Sequence, residues 1–221
     1  MVREMRAFQF VLCGAAVAAA LGSTARANAQ LTATVEAFAG YYRPYGHFYS
    51  PSNLVTQLPK EPSDLEGPAW GATAHLGLGH RFGVAGEVAA TSNHVIPEVI
   101  TPSGFGGPTN ASVALGVLLA QYDLSPTPSA YHVWLNAGPA VIHHRGDAYS
   151  FFGAPTSVGS ALGMTIVIPL RWHLDFSADA TGLFYSLDVP THHELDMDPG
   201  SIQHGDQRDA LLRLGIAWKP F

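Results

Sequence analysis

The sequence predicts an all-β chain, an eight-stranded antiparallel up-and-down transmembrane β-barrel. Three observations carry that expectation: eight segments that alternate apolar and polar residues, connections between them that alternate short and long, and aromatic residues gathered at the segment ends. Each segment is about 9–12 residues long, enough for a tilted strand to cross a bilayer, where a soluble strand has roughly five or six.

Residues 1–29 have the layout of a cleaved secretory signal peptide, leaving 30–221 as one barrel domain. Arg3 and Arg6 precede an apolar stretch from Ala7 to Gly22, and small residues up to Ala29 offer cleavage sites. The stretch is shorter than the roughly 20 residues of a spanning helix. Cys13 lies within it, preceded by Leu12 rather than a small residue, which argues against lipidation and leaves a mature chain without cysteine. Such an exported domain must hold itself without disulfides. Loss of Arg3, Arg6, Arg26 and Glu4 leaves 8 basic against 16 acidic side chains, a balance that argues against a nucleic-acid partner.

The first segment, Leu31 to Tyr42, sets Leu31, Ala33, Val35, Ala37 and Ala39 against Thr32, Thr34 and Glu36. The second, Trp70 to Gly79, sets Ala72, Ala74, Leu76 and Leu78 against Thr73 and His75. In the third, Phe82 to Ser92, Phe82, Val84, Val88 and Ala90 oppose Glu87 and Thr91. The fourth, Ala111 to Tyr122, places Val113, Leu115, Val117 and Leu119 on an apolar face opposite Ser112, Ala114 and Gly116. The fifth is Tyr131 to His143, interrupted by Pro139, and the sixth is Ser157 to Ile168. In the seventh, Trp172, Leu174, Phe176, Ala178, Ala180, Gly182 and Phe184 oppose His173, Asp175, Ser177, Asp179 and Thr181. The eighth, Asp209 to Trp218, sets Leu212, Leu214, Ile216 and Trp218 against Arg213, Gly215 and Ala217. Successive side chains of a strand point to opposite faces, so each pattern describes one face toward lipid and one toward the barrel interior.

Segments two and three, four and five, and six and seven are joined closely, the last pair through Pro169–Leu–Arg171. The other links, 43–69, 93–110, 144–156 and 186–208, are long. This order suits short periplasmic turns and long extracellular loops. It places Phe82, Tyr122, Tyr131, Trp172, Trp218 and Phe221 at a lower aromatic girdle, and Tyr41, Tyr42, Trp70, Phe184 and Tyr185 at an upper one.

A signal peptide, eight alternating segments and a chain ending in Phe221 together resemble the small outer-membrane barrels of Gram-negative bacteria, the OmpA-type transmembrane domain and OmpW-like proteins. The resemblance covers the mature chain as a pattern, without a specific motif. It implies an outer-membrane location, contact with outer-membrane lipids, and insertion by the barrel-assembly machinery, which in these families reads a last strand ending in an aromatic. Pro220 and the phase of Leu214, Ile216 and Trp218 depart from that terminal signal.

The inward face is expected to hold a lumen polar network of Glu36, His75, Glu87, Asp175, Asp179 and Arg213, with Arg213 close to Glu36 and to Asp175 or Asp179. Buried charges must be paired, so the network reads as a polar plug or, alternatively, a narrow ion path. Several of the 11 histidines fall in expected loops, among them His143, His144 and His204. His192, His193, Glu194 and Asp196 have the chemistry of a metal site but not the His-Glu-x-x-His spacing of a metalloprotease. No histidine is followed by serine two places on, the pair used by barrels that deacylate lipid A. The leading expectation is a structural or porin-like passive outer-membrane barrel, not an enzyme and without a cofactor, whose extracellular loops could bind a surface partner. The alternatives are an outer-membrane lipid-modifying enzyme and a soluble periplasmic lipocalin-like binding barrel, which would invert every face.

Overall fold

The computed structural model describes residues 31–45, 66–79, 81–95, 100–101, 104–105, 109–126, 130–146, 155–190 and 202–220. The segment 1–29 expected to be a signal peptide, the histidine-rich stretch 192–196 and Phe221 lie outside the described residues. Eight strands make up the barrel: β1 (Leu31–Pro44), β2 (Gly67–Leu78), β3 (Phe82–Thr91), β4 (Thr109–Asp123), β5 (His132–Arg145), β6 (Thr156–Pro169), β7 (Leu174–Pro190) and β8 (Ile202–Trp218). Each pairs antiparallel with its chain neighbours, and β1 pairs with β8, so the sheet closes on itself without an edge. Asn93–Val95 prolongs the third strand's pairing with β4, and Ile100–Thr101 pairs with Gly104–Phe105. Among the described residues no helix is long and apolar enough to cross a membrane.

The register fixes the barrel's shape. Following paired residues once around, Thr32 leads through Gly77, Gly83, Gln121, Asn136, Gly163, Thr181 and Leu211 to Tyr42, ten residues further along β1. Eight strands with that shear tilt by about 40° and enclose a lumen narrow enough to be filled by side chains. Two of the turns are tight. Gly79 takes a φ of 117° after β2, and Trp172 and His173 both take a φ of 61° between β6 and β7. That pair makes a primed turn, whose twist matches the flanking strands. The turn is therefore centred one step beyond the expected Pro169–Arg171 link, and Trp172 belongs to it rather than to a strand.

Several strands run well past their expected ends. β7 reaches Pro190 and β8 begins at Ile202, so most of the expected loop 186–208 is a paired ribbon. His143 and His144, expected in a loop, end β5, and His204 lies on β8.

Outward-facing residues form a band without charge on every strand. On β8 it runs Ala210, Leu212, Leu214, Ile216 and Trp218, with Arg208 above. At the barrel's tilt those residues cover about 20 Å of height, close to the roughly 25 Å apolar belt of a transmembrane barrel. Trp70, Tyr41 and Phe184 stand exposed at its upper margin; Phe82, Tyr131, Trp172 and Trp218 do so at the lower.

Two sets of assignments are corrected. Tyr42 and Tyr185 are buried in the lumen, not part of the upper girdle. Alternation forbids the original placement, because Tyr41 and Phe184 are their immediate neighbours and face out. On β4 the whole phase is inverted: Val113, Leu115, Val117 and Leu119 are buried inside, while Leu118 is 59% exposed. A one-residue slip flips every side chain of a strand. The opposite phase would carry Gln121 and Asp123 into lipid with Leu119. Inside, Leu115 and Leu119 sit across from Ala89 and Ala85 of β3, large against small.

At Pro139 the β4–β5 ladder is interrupted: the pairing runs to Val117↔Ala140 and resumes at Ala120↔Ala137. Proline has no N–H to give to the ladder. Gly138 lets the strands close over the gap, since a Cβ there would come within 1.9 Å of the Leu118 carbonyl oxygen.

Candidate functional site: a hydrogen-bonded layer across the lumen

The tilt and shear bring Glu36 (β1), His75 (β2), Gln121 (β4), Asn136 (β5), Thr165 (β6) and Ser177 (β7) to one level, and these side chains join hand to hand. Ser177 Oγ donates to Glu36 Oε1 at 2.8 Å, and the other Glu36 oxygen lies 3.2 Å from His75 Nε2. His75 Nδ1 is 3.2 Å from Gln121 Oε1. Gln121 Nε2 donates to Asn136 Oδ1 at 3.0 Å, and Asn136 Nδ2 to Thr165 Oγ1 at 2.6 Å. Thr165 then donates to Asp179 Oδ2 at 2.5 Å, and Thr181 to the other oxygen of Asp179 at 2.7 Å.

Arg213 of β8 completes the circuit one step higher. Its guanidinium pairs with Glu87 of β3, lies 3.0 Å from Asp179 Oδ1, and covers the Phe38 ring with 4.6 Å to the centroid. Every strand therefore contributes to this layer. Arg213 is 4% exposed, and Glu36, Glu87 and Asp179 are equally buried. In that setting each charge depends on its partners, because removing one leaves the other desolvated and unpaired. Gly215 is what lets the circuit close past β8: a Cβ there would lie 2.3 Å from Glu36 Oε1 and 2.6 Å from Ser177 Oγ.

Of the six residues expected in the lumen, Glu36, His75, Glu87, Asp179 and Arg213 meet here. Asp175 does not. It lies toward the lower end of the barrel, where Lys219 reaches it at 2.6 Å. Arg213 pairs with Glu87 rather than directly with Glu36. The neutral members Gln121, Asn136, Thr165 and Ser177 are additions to the expected set. Gln121 and Asn136 stand in otherwise apolar or mixed strands, and that isolation is the signal that marks them.

A second cluster fills the upper lumen. Tyr42 of β1 and Tyr185 of β7 both donate to Asp209 Oδ2 of β8, the latter at 2.6 Å. His144 Nε2 lies 3.1 Å from the Tyr185 hydroxyl. That phenol gives its one proton to Asp209, so it accepts from His144. Leu183, Leu187, Leu211 and Ile142 pack around the cluster. The interior is therefore not uniformly polar: a charged layer lies beneath a largely apolar one. Near the lower mouth, His132 Nδ1 lies 2.8 Å from Asp123, which also accepts from the Ser125 amide at 2.8 Å. Among the described residues no three metal-ligating side chains gather.

No family model matches the chain, and no curated protein matches it in sequence. Solved structures do share its architecture. Neisserial surface protein A superposes with a TM-score of 0.54 at 16% identity, covering 85% of this chain and 96% of its own. The outer membrane protein OprG of Pseudomonas aeruginosa gives 0.54 at 13% identity, with 85% and 96% covered. Outer Membrane Protein W of E. coli gives 0.51 at 12% identity, with 87% and 100% covered. This is the fold of the small outer-membrane barrels. The chain spans nearly the whole length of each, and the uncharged belt between its aromatic margins fits the location those names give. The lipocalin-like alternative required apolar residues inside and polar ones outside, and the outward belt runs the other way.

Proposed function

We propose that the chain is an integral outer-membrane barrel with a closed lumen, a rigid scaffold that presents its long connections at the cell surface and neither conducts steadily nor catalyses a reaction. The observation that carries this reading is the layer from Glu36 to Arg213, to which all eight strands contribute side chains across the barrel's interior. An ion passing through would have to displace charge pairs that are buried on every side, and such pairs are costly to part.

Conductance in planar bilayers tests the reading directly. The folded full chain is expected to show no steady unitary current above the membrane's own leak. A stable open level in most insertions would overturn closure and favour a small passive channel. Membrane placement has its own test: heat-modifiable migration in detergent gels and co-sedimentation with outer membranes are expected, and a chain recovered free in the periplasmic extract would refute it.

A further inference from the structure

The outer wall of the barrel carries a groove of about 450 Å³ where β1, β8, β7 and β6 meet. Its floor is small, Ala178 and Ala180 on β7, and Ala39 on β1 lines it from beyond the β8 leucines. Its walls are tall: Leu212 and Leu214 on one side, Met164 and Ile166 on the other. The register explains the shape, for Ala180 lies between Met164 and Leu212, and Ala178 between Ile166 and Leu214. Above it the next outward positions are Ala210 on β8, which is small, and Gly182 on β7, over which the Phe184 ring folds to within 3.2 Å of where a Cβ would stand. The trough thus rises toward the upper margin without a barrier on β8.

Two arginines stand at that upper end. Arg43 is the next outward residue above Tyr41 and pairs across the sheet with Ala210; Arg208 is the next outward residue above Ala210. They are diagonal neighbours on adjacent strands, a relation that sets Cα atoms roughly 7–8 Å apart. Both are exposed at the end of the uncharged belt. Glu66 contacts Arg43 at 3.4 Å, and Tyr45 lies under its guanidinium at 5.2 Å. Asp206 is exposed on β8 beyond Arg208.

From this arrangement we infer that the β1–β8–β7 face seats a phosphorylated acyl lipid of the outer leaflet, one acyl chain in the groove and the phosphate between Arg43 and Arg208. The charge order matches that of such a lipid: an anion at the interface and hydrocarbon directly below it. Two arginines suit a phosphate through their forked donors. A neutral lipid would fill the groove equally well but bring no anion to join Glu66 at Arg43 or to pair with Arg208, so the site discriminates by headgroup while the groove fixes the chain.

The inference rests on the bilayer placement proposed above and not on closure of the lumen. Its test uses the full chain in phosphatidylcholine bilayers holding a few per cent of chain-labelled phosphatidic acid or chain-labelled phosphatidylcholine, with the motionally restricted fraction read by electron spin resonance. Phosphatidic acid is expected to be restricted roughly five-fold more strongly, the preference that one basic side chain confers near a membrane surface. Arg43→Gln with Arg208→Gln should abolish the preference. Ala178→Leu with Ala180→Leu should weaken restriction of the chain while leaving the fold intact by heat-modifiable migration. Equal restriction of the two lipids would overturn the proposal, as would a preference that survives loss of both arginines. A restricted fraction that the leucine pair leaves unchanged would overturn the seating in the groove. A chain that restricts neither lipid would refute the bilayer placement as well.

Discussion

Along β7, β8 and β1 the lumen is lined by Asp179, Ser177, Arg213 and Glu36, whereas along β4 and β5 it is lined mainly by Val117, Leu119, Ala140 and Ile142. Both walls bury their inward residues almost completely, and both turn an uncharged surface to lipid. The difference is in what each wall asks of the opposite one. Hydrocarbon accepts any hydrocarbon of the right volume, but Arg213 needs Glu87 and Asp179 in particular. The charged wall therefore specifies partners across the barrel, and the apolar wall supplies volume.

Breaking the charged wall should have the largest effect. Arg213→Met is expected to lower unfolding free energy by about 3–5 kcal/mol, because Glu87 is left buried without its cation. Adding Glu87→Leu should recover more than half of the loss, since Asp179 keeps the Thr165 and Thr181 hydroxyls. Urea unfolding of the chain in lipid vesicles, followed by tryptophan fluorescence, measures both. If Arg213→Met proves as stable as the parent, the layer is not what holds that wall.

The same contrast governs how much could be read from the sequence. On β7 the polar face is a run of Asp, Ser and Thr, so its phase and strand are visible in the alternation, and of its partners only Arg213 for Asp179 is. On β4 both faces are built from Ala, Gly, Val and Leu over most of the strand, and hydrophobicity alone chose the wrong one. The deciding residues were Tyr122, placed at the lower aromatic margin, and Gln121 and Asp123. Tyr122 cannot face lipid on the same strand as an outward Leu119, because the two are three residues apart and alternation puts them on opposite faces. The adjacent pairs Tyr41–Tyr42 and Phe184–Tyr185 carried the same information, for only one of each can face out. Strand identity and the short and long connections were legible because they depend on local pattern. The circuit through Gln121, Asn136 and Thr165 was not, because it depends on the shear that brings residues of distant strands to one level.

The apolar wall should respond by volume. Leu119→Ala is expected to cost about 3 kcal/mol, the removed hydrocarbon plus the cavity left between β4 and Ala85 of β3. Filling is a sharper probe of direction than emptying. Leu119→Phe should cost about 1–3 kcal/mol through overpacking, while Leu118→Phe, facing lipid, should change stability by less than about 0.5 kcal/mol. Equal responses at the two positions would contradict the inverted phase of β4.

Where the two walls meet in the upper lumen, Asp209 sits among leucines yet carries two phenol donors on one oxygen. Hydrogen bonds to a charged group are worth about 1.5–3 kcal/mol each when their loss strands that group. Tyr42→Phe leaves Tyr185 in place, so the expected cost is near the lower end, about 1.5 kcal/mol. Tyr185→Phe should cost somewhat more, because it also deprives His144 of its acceptor. The two donors share Oδ2, so the first loss allows the second to tighten, and the double variant should be worse than either single by more than their sum. Additive costs in the same unfolding assay would mean that Asp209 is already served by another partner. The apolar upper lumen would then owe nothing to this cluster, and its order would come from packing alone.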